Sequence, residues 1–236
     1  DTLLAAIRQT LGREGPLAAL RVLVTAGGTQ EPLDPVRHLT NRSSGRMGYA
    51  LAEAARDRGA AVTLISAPTC LGRVQGVEHV AVRTAEEMAR AVLSRRTETD
   101  VLVMAAAVAD YRPATQAEHK IKKGEDTLLL ELERTQDVLG TIASLRMDGW
   151  PRLVVGFAAE TDDLLENAGE KLTRKRLDLL VANDVSATDA GFEVADNRVV
   201  LLAPGAAPEA LPLMSKFEVA ERIWERVQAL WELRHG

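Results

Sequence analysis

The chain has 236 residues, of which 46% are apolar and 27% charged, with a formal net charge of −5. This balance excludes a disordered chain, and the length allows one α/β domain with an extension, or two small domains. The acidic sign argues against a general nucleic-acid binder, which needs a basic face to displace counterions, and leaves open the binding of a single nucleotide.

The chain opens at Asp1 rather than at methionine, as expected of a piece of a longer protein. Thr2–Leu11 reads as a short amphipathic helix and Gly12–Ala18 as a linker, so residues 1–20 form a leader to a domain at 21–236. Arg21–Thr25 has the aliphatic, β-branched run of a buried parallel strand, and Met47–Arg58 has helical spacing. Strands at Ala61–Ser66 and Val77–Val82, a helix at Ala85–Arg95 and a strand at Asp100–Ala105 follow. Residues 106–133 break the rhythm with a loop, the basic run Lys120-Ile-Lys-Lys and an exposed strand at Leu128–Glu133. Alternation returns with helix Val138–Arg146, strand Arg152–Phe157, helix Asp162–Lys175 and strand Leu177–Ala182. A loop at Asp184–Arg198, strand Val199–Leu202 and a helix from Ser215 to about Leu233 complete the chain. Strands separated by helices imply right-handed crossovers. The expected fold is α/β: a Rossmann-like, doubly wound, mostly parallel sheet with a protruding strand and loop flap.

Ligands of open α/β sheets bind outside the carboxyl ends of the strands, where the unusual residues of this chain fall. Thr25-Ala-Gly-Gly-Thr follows the first strand, and Asn41-Arg-Ser-Ser-Gly-Arg-Met-Gly enters the first crossover helix. Glycines there let backbone N–H groups approach a phosphate; equally, Ser43 or Ser44 caps the helix and the glycines only turn the chain. No lysine of a Walker loop is present, and the G-x-G-x-x-G spacing is absent directly after the strand. Tyr111 is followed four positions on by Thr115, not by the lysine of a short-chain dehydrogenase. Ala106-Ala-Val-Ala-Asp110 offers small residues and a carboxylate at the same edge, or a tight packing corner. The run Lys120, Lys122, Lys123, taken alone, is a solvated edge; Lys171 and Lys175 share one helix face. Cys70 is the only cysteine, so no disulfide forms within the chain, which fits a reducing cytoplasm. The four histidines have no metal-ligand spacing, and no run is long and apolar enough for a membrane span.

Together these segments, with Asp34-Pro-Val-Arg, Val155-Gly-Phe-Ala-Ala-Glu-Thr and Ala182-Asn-Asp-Val, resemble the phosphopantothenate–cysteine ligases, from about Arg21 to the final helix. The resemblance implies a two-step reaction of coenzyme A synthesis in the cytoplasm. The carboxylate of 4′-phosphopantothenate attacks the α-phosphate of CTP and expels pyrophosphate, with Mg²⁺ screening charge. The amino group of L-cysteine then attacks the acyl-cytidylate and releases CMP. It further implies a homodimer, fused in the bacterial branch behind a flavin-dependent decarboxylase, with no nucleic-acid or membrane partner.

By the same resemblance Asn41 donates to the activated acyl group, and Arg37 meets the substrate phosphate. Gly27, Ser43, Gly45 and Gly48 line the nucleotide phosphates, and Ala106, Ala107 and Asp110 contact phosphopantothenate or nucleotide beside Met104 and Ala105. Lys120 shares the catalytic role with Asn41 and binds CTP together with Phe157, Lys171 and Lys175. Gln136, Asp137, Val138 and Leu139 shape the base or ribose pocket, to which Asn183 belongs; the resemblance leaves the metal ligands unknown. Where the family carries Asn-Pro-Asp before that pocket, this chain has Thr135-Gln-Asp137. A nicotinamide-dependent oxidoreductase on the same fold, and a noncatalytic nucleotide-binding module, are the competing readings.

Overall fold

The computed structural model describes residues 2–124, 127–160, 164–184 and 196–235. In chain order they form α1 (Thr2–Gly12), β1 (Arg21–Ala26), β2 (Gln30–Pro32), β3 (His38–Thr40), α2 (Arg46–Asp57), β4 (Ala61–Ser66), β5 (Glu78–Ala81), α3 (Ala85–Arg95), β6 (Val101–Met104), β7 (Tyr111–Pro113) and β8 (Leu132–Arg134). There follow α4 (Val138–Leu145), β9 (Leu153–Glu160), α5 (Leu164–Arg174), β10 (Leu179–Asp184), β11 (Asp196–Asn197), β12 (Val199–Leu202), β13 (Glu209–Ala210), β14 (Met214–Ser215) and α6 (Lys216–His235). The central sheet runs β13-β12-β10-β9-β6-β1-β4-β5. It is parallel from β10 to β5, while β12 and β13 add an antiparallel edge. From β1 the chain moves out to β4 and β5, then returns to build β6, β9 and β10 on the other side. The reversal opens a crevice between the carboxyl ends of β1 and β6, the place where doubly wound sheets bind ligands.

Alternate strand residues feed two apolar layers. Val22, Val24, Leu64, Val103, Val155 and Val181 pack under α2 and α6 against Leu51, Ile223, Trp224 and Val227. Leu23, Ile65, Leu102, Val154 and Leu180 face Met88 and Val92 of α3, Ile142 of α4 and Leu172 of α5. Each such aliphatic side chain contributes about 1.5–3 kcal/mol on burial, so this period-two pattern fixes which face each helix covers. Trp224 lies fully buried and donates from Nε1 to the Leu51 carbonyl at 2.9 Å, tying α6 to α2. At the amino edge of the sheet the Arg152 guanidinium lies 4.6 Å from the Trp150 ring centroid and 6.0 Å from that of Trp231.

The helices and parallel strands expected from the sequence are present, with ends that differ by at most three residues. Five segments differ. Residues 12–18 are a docked turn rather than a free linker: Leu17 is buried and its N–H donates to the Arg58 carbonyl at 3.1 Å. The expected amphipathic face of α1 turns outward instead, leaving Leu3, Leu4, Ile7 and Leu11 exposed, while Arg8 on the same helix lies over the Phe217 ring. Within the first long loop, β2 and β3 pair antiparallel, with Gln30 opposite Thr40. The exposed strand expected at Leu128–Glu133 shortens to β8, paired with β7, because only Leu132–Arg134 finds a partner edge. Of the expected loop at 184–198, residues 185–195 lie outside the described residues, while β11 pairs with β14. Among the described residues no helix is long and apolar enough to cross a membrane.

Candidate active site

The loops leaving β1 and β6 are laced together across the crevice. Ala107 N–H donates to the Gly27 carbonyl at 2.9 Å, and Thr29 N–H to the Ala107 carbonyl at 3.3 Å. Two buried threonines finish the lacing: Oγ1 of Thr25 accepts from Ala106 N–H at 3.1 Å, and Oγ1 of Thr29 from Ala109 N–H at 2.9 Å. Burial of these hydroxyls is tolerable only because each has such a partner. They are positioning residues that motif reading missed; their signal is a threonine at either end of the Ala-Gly-Gly turn.

Asn41 follows β3 and is exposed, and its Nδ2 donates to the Val108 carbonyl at 3.2 Å. One amide hydrogen is thereby fixed and the other is left to donate elsewhere. Neither Ser43 nor Ser44 caps α2. Its N-cap is Gly45, in the left-handed conformation with φ 75°, and among the described residues there is no side-chain cap hydrogen bond. A Cβ on Gly45 would lie 2.6 Å from Thr69 Cγ2, so glycine is required on both counts. The N–H groups of the first turn and the positive end of the helix dipole are left without a side-chain cap, as suits an anion. Ser43 Oγ accepts from Gly45 N–H at 3.4 Å, before the helix begins. Gly48 is buried against the strand, where an added Cβ would stand 2.6 Å from Ala26 Cβ and 2.8 Å from the Thr25 carbonyl. Its absent side chain is what lets α2 lie close to β1.

Further along the same edge, Thr25 is level with Met104 and Met104 with Gly156. The next row is therefore Ala26, Ala105 and Phe157, with Gly27 just past the end of β1, Phe157 still within β9, and Asn183 opposite Ala159 two positions beyond. Lys171 Nζ donates to the Phe157 carbonyl at 2.9 Å. Lys175 pairs with Asp137, the N-cap of α4, whose carboxylate also accepts from Gly140 N–H. Burial raises the Asp137 pKa, but the Lys175 ammonium and the Gly140 N–H outweigh it and hold the carboxyl below its ordinary value. Phe157, Lys171, Lys175 and Asp137 are thus brought together, with Leu139 half-buried beside them. Gln136 is exposed and donates to Thr141. Met104 and Val138 are buried in the core, so their side chains pack rather than face the crevice. Asn183 is 7% exposed, and its Oδ1 has no hydrogen-bond partner among the described residues, a buried acceptor at the sheet edge.

Asp110 is exposed, and its carbonyl accepts from Thr135 N–H, joining the loop after β6 to the approach to α4. Arg37 is bound to Asp34 and to the Ile121 carbonyl. The Arg37 guanidinium, together with the N–H groups of Val36, Ile121 and Arg37, keeps the Asp34 carboxyl well below the usual carboxylate range despite its burial. Lys120, Lys122 and Lys123 are exposed, and among the described residues no hydrogen bond or ion pair joins Lys120 to the Phe157–Lys175 cluster. No group of three or more His, Cys, Asp or Glu side chains among the described residues could hold a metal ion. Cys70 is a free, exposed thiol.

A family model described as the DNA/pantothenate metabolism flavoprotein C-terminal domain matches residues 17–230. The chain is 44% identical over 216 residues to the coenzyme A biosynthesis bifunctional protein CoaBC of Bacillus subtilis (strain 168), covering 91% of this chain and 52% of that protein. It therefore spans about half the length of the curated relatives it matches. The crystal structure of the C-terminal domain of a CoaBC protein superposes with a TM-score of 0.78 at 39% identity, covering 92% of this chain and 98% of that one. A Cab2 variant in complex with phosphopantothenate-cysteine shares the fold, with a TM-score of 0.72 at 18% identity over 98% of this chain and 92% of that one. With its six-stranded parallel core, the β1–β6 crevice and these matches, the chain belongs to the DNA/pantothenate metabolism flavoprotein C-terminal domain family.

Proposed function

We propose that the chain is a phosphopantothenate–cysteine ligase that activates 4′-phosphopantothenate with CTP and passes the acyl group to L-cysteine. The observation that carries this reading is one sheet edge holding three features: an uncapped helix N-terminus at Gly45, an amide at Asn41 fixed by the Val108 carbonyl, and the lysine pair at Phe157 and Asp137. A bare carboxylate acylates poorly, so a leaving group must be installed while several negative charges converge. In this reading the first turn of α2 receives phosphate, and Lys120, Lys171 and Lys175 offset the triphosphate. Asn41 then donates to the acyl oxygen as charge develops there. Arg37 meets the phosphate of phosphopantothenate, and Asn183 with residues 136–139 borders the base or ribose. The names of the CoaBC relatives support the pathway, and phosphopantothenate-cysteine bound to the Cab2 fold supports the substrate class.

We assign Mg²⁺ to the nucleotide phosphates, since no group of three or more His, Cys, Asp or Glu side chains among the described residues could hold a metal ion. We place the enzyme in the cytoplasm as a homodimer, with residues 1–20 joining it to a flavin-dependent decarboxylase in the full-length protein. The test is pyrophosphate release by the purified chain with phosphopantothenate, cysteine, Mg²⁺ and each nucleotide in turn. CTP-dependent release that requires phosphopantothenate is expected. Reduction of NAD(P)⁺ with a small alcohol, and no pyrophosphate, would replace the ligase with an oxidoreductase.

A further inference from the structure

We infer that Asp34 is a positioning residue: its buried carboxylate straps the lysine segment, at Ile121, to the loop that carries Arg37, and so sets where Lys120 stands. The strap is a matter of geometry, while its consequence for nucleotide use rests on the ligase reading above. Asp34 is 3% exposed, yet it accepts from five N–H groups. Oδ1 takes Val36 N–H and Arg37 N–H, each at 2.8 Å, which closes the local turn. Oδ2 takes Arg37 Nε at 2.9 Å, its terminal nitrogen at 2.5 Å, and Ile121 N–H at 3.1 Å from a residue 87 positions away. The same terminal nitrogen donates to the Ile121 carbonyl at 2.9 Å. Both backbone groups of Ile121 are therefore held by one ion pair, and Ala117 N–H adds a bond to the Leu33 carbonyl at 3.0 Å.

A turn alone would use only Oδ1. The second oxygen reaches across to a segment that otherwise has little to hold it, since Lys122, Lys123 and Gly124 are exposed. Lys120 is the residue immediately before the strapped one. Only a carboxylate serves here: an asparagine would turn its NH₂ toward the guanidinium and the Ile121 N–H, setting donor against donor.

Asp34→Asn tests this in two ways. In the ligand-free protein the Ile121 amide is expected to exchange about tenfold faster or more, the loss of a charge-assisted bond, while Val36 and Arg37, which keep Oδ1, change little. Unchanged protection at Ile121 would overturn the strap, and this arm needs no enzymatic activity. In turnover, the KM for CTP is expected to rise about tenfold, with kcat held within about threefold. Combined with Lys120→Gln, the substitution should add nothing further, because both act on one group. A fall in kcat alone, or full additivity, would sever Asp34 from Lys120. If Asp34→Asn does not fold cooperatively, an amide-to-ester replacement at Ile121 removes that N–H with the side chain kept; the same rise in KM supports the strap, and an unchanged KM overturns it. A parent protein without pyrophosphate release would sink the ligase reading and leave the exchange arm standing.

Discussion

Asn41 enters the crevice with one amide hydrogen committed to the Val108 carbonyl, so its replacement separates holding from donating. Asn41→Asp keeps the size but loses both donors and adds a charge that opposes an oxyanion. Amide formation should slow by a hundredfold or more, about 3 kcal/mol of barrier, while pyrophosphate release continues and acyl-cytidylate accumulates in quenched samples analysed by mass spectrometry. Product at the parental rate would remove Asn41 from the chemistry, and absent pyrophosphate would move it to the first step. Gly48→Ala acts through packing instead. Its Cβ would meet Ala26 Cβ and the Thr25 carbonyl, an overpacking of about 1–3 kcal/mol. A melting temperature lower by several degrees is expected by calorimetry; an unchanged midpoint would mean that α2 shifts freely. At this scale the sequence shows the glycines, Asn41 and the lysines plainly. It does not show how closely Gly48 packs against Ala26, or that Thr25, Thr29 and Asp34 are buried with partners about eighty positions away.

The segment 120–133 is the element whose behaviour decides most. Sequence breaks in the βα rhythm lead to the expectation of a flap that is mobile when empty and ordered by ligand. The structure divides that segment: Ile121 is strapped, β8 is paired with β7, and Leu128–Leu130 between them are exposed. Gain of amide protection on adding CTP and phosphopantothenate should therefore centre on 127–131, and equal protection in both states would rule out closure. The strap itself should resist acid. The Asp34 pKa is depressed on folding, so its contribution is complete above the unfolded value of about 3.9 and is lost as pH falls through the folded value. Relative to intrinsic exchange, Ile121 should stay protected at about pH 3.5, where an ordinary aspartate is more than half protonated. Early loss there would show that the carboxyl is not held. The long alternating elements were legible because burial on one face imposes a period. The β2–β3 and β7–β8 pairs were not, since three-residue strands carry no period and their pairing is set by distant bonds.

At the scale of the whole molecule, the doubly wound sheet follows from aliphatic strands alternating with helices, and that much was readable in advance. The direction in which α1 faces was not, because apolar spacing says which residues share a side and not what covers it. The dimer proposed above has a direct test at Leu129, which is 95% exposed beside Leu128, Leu130 and Leu132. Leu129→Asp touches no core and should leave folding within about 0.5 kcal/mol, yet shift the mass seen by light scattering from dimer to monomer. A parent that is already monomeric would end the dimer proposal. The tryptophans give the molecule an optical property as well. All three of them lie away from the carboxyl edge: Trp224 in the α6 core, and Trp150 and Trp231 about the Arg152 guanidinium. Intrinsic emission will therefore report the undocking of α6 and global melting while staying nearly blind to nucleotide. A binding titration on this protein needs a labelled ligand or a tryptophan placed at the crevice, whereas a stability titration needs no label at all.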